Sequence, residues 1–264
     1  MSTHARSQTV ARRHLAGGGA VRAATVPPLY HFGVRLFAAF TLAMFIAFWP
    51  SYFSKLADQP SMHPHMHGLA MTAWLALLIA QASLMRAGNR ALHRRLGLVS
   101  YALVPIIVVV TIRFVHYTVR DAPNLGDYGL FFVALVVMTL VTFVSLFALA
   151  MLYRKQPAVH ARLMVSTLFP LFPPVTDRLI ARFMPSVIDW VPRIGGGEIL
   201  QVAGFVIADS ILVGLALWDW SANRRRVFPV ALAIVIAGQL AILNLHRVGL
   251  WQAFGPWFVS LPIS

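Results

Sequence analysis

Seven apolar stretches, each near the length of about 20 residues that a helix needs to cross a bilayer core, constrain this chain more than anything else in it. They run Phe32–Phe53, Gly68–Met85, Leu96–Val115, Tyr128–Leu152, Leu163–Ile180, Ile199–Trp218 and Val227–Leu245. Mean hydropathy is +0.73 and only 11% of residues are charged, against about a quarter in soluble domains. The expectation is an all-α integral membrane bundle of about seven transmembrane helices. The stretches leave no room for a separate soluble domain. Residues 1–29 are expected to be a disordered basic cytoplasmic tail, 30–248 the seven-helix domain, and 249–264 an interfacial aromatic segment carrying Trp251, Phe254, Trp257 and Phe258.

The net charge of +14 would suggest nucleic acid in a soluble protein. Here it has a plainer cause, because Lys and Arg mark cytoplasmic loops. On a seven-crossing reading, fourteen basic residues fall on one side, in the tail, in Arg86–Arg95, in Arg154–Arg162 and in Arg224–Arg226. Five fall on the other: Lys55, Arg120, Arg182, Arg193 and Arg247. That bias puts the N-terminus in the cytoplasm and the C-terminus outside, in a bacterial inner membrane. The lipid bilayer is the expected partner and nucleic acid is not; an electron-transfer partner or a second copy of the chain is compatible with the sequence. The tail does not read as a cleaved secretory signal, since the first apolar run starts late and is long enough to span. The absence of cysteine excludes disulfides, thiolate metal sites and Fe–S clusters.

Histidine placement is the second signal. His63, His65 and His67 open the second apolar stretch, His116 closes the third and His246 the seventh, all on the expected outer side. His93 and His160 open the third and fifth on the inner side. From His67, seven-residue steps reach Trp74 and Gln81, and two helical turns return nearly to the same face, so the three form a stripe. Arg113 lies one turn before His116. Asp177 and Asp209 are acids within apolar stretches, where charges are costly and pair or line a cavity; Arg113 is their natural partner. Pro170, Pro173 and Pro174 interrupt the fifth stretch, either as a hinge lining a site or as a kink that only shapes the bundle.

Three readings of the histidines stay open: haem held by imidazoles from different helices, a metal on His63, His65 and His67, or a polar network that fixes packing and binds nothing. His93 and His160, each followed closely by Arg, also suit anchoring at anionic lipid.

The run His65-Met66-His67-Gly68, then Trp74, Gln81, His93-Arg94-Arg95-Leu96-Gly97 and His160-Ala161-Arg162-Leu163-Met164, resembles an uncharacterised bacterial multi-pass membrane family. The resemblance covers roughly residues 63–182 and implies an inner-membrane protein without an assigned activity. A looser likeness is to cytochrome b proteins of the ascorbate-reducible di-haem type. By that likeness His67 and His116, with His65 nearby, would be outer haem b ligands, and His93 and His160 inner ones. The departure is the 23-residue separation of His93 and His116, about 35 Å along one helix. The leading expectation is a haem-binding redox protein. The alternative is a non-enzymatic protein, a small-solute or metal transporter or an assembly factor, whose His/Arg/Asp cluster is structural.

Overall fold

The computed structural model describes residues 28–122 and 125–264. Its helices are α1 (Pro28–Phe48), α2 (Met62–Arg86), α3 (Arg90–Gly97), α4 (Val99–Val119), α5 (Asp127–Leu152), α6 (Pro157–Ser166), α7 (Phe172–Phe183), α8 (Gln201–Asn223), α9 (Val227–Asn244) and α10 (Gly249–Val259). Two-residue strands β1 (Arg193–Ile194) and β2 (Gly197–Glu198) form an antiparallel hairpin before α8. The protein is all-α and multi-pass in character. The expected tail lies almost wholly outside the described residues, as do Pro123 and Asn124.

Among the described residues, five helices are long and apolar enough to cross a membrane: α2, the continuous α3–α4 rod Arg90–Val119, α5, α8 and α9 with its last turn. The other two expected crossings differ for physical reasons. In the first, the apolar helix is the shorter Phe32–Phe48, and Phe53 falls in a separate 3-10 turn. The fifth stretch is not one helix. α6 stops at Ser166, a 3-10 turn spans Phe169–Leu171, and α7 restarts at Phe172. Pro170 cannot donate a backbone hydrogen bond, whereas Pro173 and Pro174 sit in the first turn of α7, where the missing donor has no helical partner to lose.

Packing runs in a closed ring: α4 against α2, α2 against α1, α1 against α7, α7 against α8, α8 against α9, α9 against α5, and α5 against α4. α6 packs on α5 and α9 while α7 packs on α1 and α8, so the two halves of the broken segment serve different neighbours. The break is enclosed: Ser166, Thr167, Leu168, Phe169, Pro170 and Leu171 are all buried. Thr167 donates its hydroxyl to the Met164 carbonyl at 2.7 Å and Ser166 to the Arg162 carbonyl at 2.9 Å, which satisfies polar atoms that apolar surroundings would penalise. Large apolar side chains point away from the ring all along it, among them Leu42, Leu69, Val109, Val141, Leu217 and Leu240. A soluble surface does not carry them at this density; lipid tails accept them.

Helix ends follow local chemistry. Ser61 caps α2 by accepting from the His63 amide at 3.2 Å, and Asn89 caps α3 by accepting from Leu92 at 3.0 Å. Gly88, at φ +74°, provides the left-handed turn that lets α2 reverse into α3. The long connection before α8 forms a 3-10 turn, Pro185–Trp190, and the hairpin. The aromatic C-terminal segment packs onto the bundle: Trp251 donates its indole N–H to the Leu130 carbonyl at 3.1 Å, and Phe258 is buried.

Candidate functional site

Seen from the helix directions, His63, His116 and His246 lie at one end of the ring and His93 and His160 at the other. The His93 end brings two of the expected ligands together. The Asn89 cap sets His93 in the first turn of α3, and Pro157 opens α6 one turn before His160. Their ring centroids are 6.4 Å apart with planes crossed at 78°. Both rings are anchored through Nδ1. His160 donates from Nδ1 to the Ala150 carbonyl of α5 at 2.9 Å. His93 is held by Gln81 of α2, in the amide orientation its neighbours dictate: the NH2 donates to His93 Nδ1 and to the His93 carbonyl, while the amide oxygen accepts from Gly97 N at 2.8 Å. The His93 carbonyl and the Gly97 amide are the pair an α-helix would join to each other. Gln81 thus threads the helical ladder where α3 gives way to α4.

These bonds fix the tautomers. His160 carries its proton on Nδ1 and leaves an Nε2 lone pair; His93 accepts at Nδ1 and carries its proton on Nε2. One ring is a donor and its neighbour an acceptor. The distance itself suits a bridging metal, since bonds of roughly 2.0 Å on each side put two ring centroids about 6 Å apart. The donor set does not. A metal-bound imidazole donates its other N–H to a carbonyl or carboxylate; His160 does so and His93 does not. Haem b held by both rings therefore does not fit unless the Gln81 amide turns over.

At the opposite end the histidines are dispersed. His63 bonds Ser61 at 2.6 Å and stacks on Tyr117. His65 bonds the Tyr52 hydroxyl at 3.2 Å. His67 bonds Thr111 at 3.1 Å and stacks on Phe114. His116 is buried, bonded through Nδ1 to Ser264, with no partner at Nε2 among the described residues. His67 and His116, the expected outer pair, bond different partners, Thr111 and Ser264. Among the described residues no group of three or more His, Asp or Glu side chains is placed to hold a metal ion, so His63, His65 and His67 do not form the alternative metal cluster. The stripe His67, Trp74, Gln81 does face its neighbours: Thr111 on α4, Phe143 and Phe147 on α5, and His93 on α3.

The expected ion pairing is corrected. Asp177 bonds Gln201 at 3.0 Å and its neighbour Arg178 at 3.3 Å, and Asp209 accepts from Gln239 at 2.9 Å. Arg113 is exposed on α4 and in none of the salt bridges found among the described residues. α4 packs on α2 and α5, whereas the two acids sit on α7 and α8 across the ring. The buried pair is another one. Arg162 of α6 meets Asp219 of α8 in a bidentate bridge, Nε to Oδ2 at 2.7 Å and Nη2 to Oδ1. Arg162 Nη1 donates to the Ala158 carbonyl at 2.7 Å, and Asn223 donates to Asp219 at 2.9 Å. In the sequence Arg162 counts among the inner-side bases and Asp219 does not stand out; a lone acid in Trp218-Asp219-Trp220 on the side that carries fourteen bases is the available signal. No family model, curated protein or solved structure matches this chain.

Proposed function

We propose that the chain is a multi-pass inner-membrane protein that moves protons at the His93–His160 pair. The carrying observation is the complementary tautomers of two half-buried imidazoles: one ring offers a proton, the next an acceptor, and histidine is the side chain that exchanges protons near neutral pH. The broken segment α6–α7 supports the same reading, because discontinuous helices inside a ring are where membrane carriers place sites. With the two segments that are shorter or broken counted in, there are seven crossings, and the basic His93 end faces the cytoplasm. His160 is the acceptor, His93 the donor, Gln81 and Ala150 hold the rings. No electron partner or second copy is required by this role.

A second reading, haem b and one-electron transfer, has the 6.4 Å ring separation in its favour. One pair of measurements separates the two. In proteoliposomes enclosing a pH-sensitive dye, an imposed proton gradient should be dissipated faster by the protein than by lipid alone. His160→Ala should remove that excess and His67→Ala should retain it. A silent dye, together with a Soret band in protein expressed with ample haem and lost in His93→Ala, would overturn the proton reading in favour of haem.

A further inference from the structure

The end of the bundle opposite the histidine pair holds a cleft of about 360 Å³ lined by Asp127, Arg193, Ile194, Gly195, His246, Arg247 and Gln252. Three elements build it: the first turn of α5, the β1–β2 hairpin, and the 3-10 turn Leu245–Arg247 that follows α9. Its chemistry is asymmetric. Arg193 reaches Glu198 at 3.0 Å but both side chains stay largely exposed. Arg247 donates Nε to His246 Nε2 at 3.3 Å, which leaves the neutral His246 ring with its proton on Nδ1. That Nδ1 is buried, without a partner among the described residues, in a residue 4% exposed. Gln252 fixes the turn by donating to the His246 carbonyl at 3.0 Å. Gly195, at φ +54°, is the residue that lets the hairpin close over α5: a Cβ there would stand 2.7 Å from the Tyr128 amide.

We infer that this cleft binds a phosphate ester carrying an ammonium group, either as a phospholipid headgroup or as a soluble molecule. Two guanidinium groups, Arg193 and Arg247, line one cleft and match phosphate oxygens geometrically, and exposed Asp127 receives the ammonium. The neighbouring α10, with Trp251, Phe254 and Trp257 stacked or tilted against one another, suits a helix lying at a lipid surface.

The test uses the full chain purified in detergent. Phosphatidylethanolamine in mixed micelles and soluble phosphoethanolamine are titrated separately, with thermal unfolding and native mass spectrometry as readouts. Stabilisation by the lipid alone assigns the headgroup; stabilisation by both assigns the soluble ester as a ligand as well. The Arg193→Gln/Arg247→Gln double variant should bind roughly tenfold or more weakly, and Arg182→Gln, an exposed basic residue of the same end, should bind as the parent does. No stabilisation by either probe, or undiminished binding in the folded double variant, overturns the assignment. Proton flux is unaffected by either result, so this inference stands or falls apart from the imidazole pair.

Discussion

Arg162 and Asp219 show what one buried contact asks of a membrane bundle. Two charges removed from water are repaid only when every polar atom finds a partner, and here the bidentate bridge is completed by Ala158 and Asn223. Removing one partner strands the other. Arg162→Met should therefore destabilise the folded protein by about 3–5 kcal/mol, measured as a lower midpoint of unfolding in mixed micelles. The Arg162→Met/Asp219→Leu double variant should recover most of that loss, because an apolar pair of similar volume carries no stranded charge. Equal instability of single and double variants would show that the bridge is not the source. The sequence did not disclose this pair. The partners are 57 positions apart on α6 and α8, and nothing in the register of either helix names the other. By contrast Gln81 was legible as part of a stripe, since the seven-residue spacing from His67 is a property of α2 alone. What the stripe touches was not legible, because that depends on α3 beginning at Arg90, six residues before the apolar run that signalled it.

At the scale of elements, close approach of α7 and α8 is what seats the second half of the broken segment. Gly204 of α8 faces the first turn of α7: a Cβ there would lie 2.9 Å from Pro173 Cα and collide with the Thr176 hydroxyl. Small residues let membrane helices approach in this way. Gly204→Val should push α8 off α7 and cost about 1–3 kcal/mol, the usual penalty for overpacking. Gly214→Val, in the same helix with open space at its Cβ position, should be nearly neutral; thermal unfolding of the two variants side by side gives the comparison. The prolines announced that the fifth stretch would be interrupted. They could not say which neighbours each half would choose, because that choice is set by residues such as Gly204 on a different helix. The same limit explains Arg113. Its position within an apolar stretch suggests an acid partner, yet the ring order puts α4 on the far side from Asp177 and Asp209.

For the whole molecule, orientation decides what the two ends can do. Apolar periodicity made the all-α, lipid-facing character plain, and loop charge proposed a direction, but charge bias concerns loops and is silent about which end carries a site. The imidazole pair and the Arg193–Arg247 cleft lie at opposite ends of the ring, so the direction of insertion assigns one to the cytoplasm and the other to the exterior. Correcting Arg162 from loop to buried pair removes one base from the inner count and leaves thirteen against five, still a strong bias by the positive-inside rule. The chain contains no cysteine, which gives a direct experiment without background. Ser61→Cys, at the N-terminus of α2, should react with a membrane-impermeant maleimide in intact cells. Arg225→Cys, between α8 and α9, should react only after the membrane is opened. The reverse pattern would place His93 and His160 outside and the Arg193–Arg247 cleft within, and a headgroup site would then face the inner leaflet. Labelling of both positions in intact cells would mean that the helices from α2 to α8 do not make an odd number of crossings between them. That outcome would remove the seven-crossing reading, and with it the assignment of an inner and an outer end.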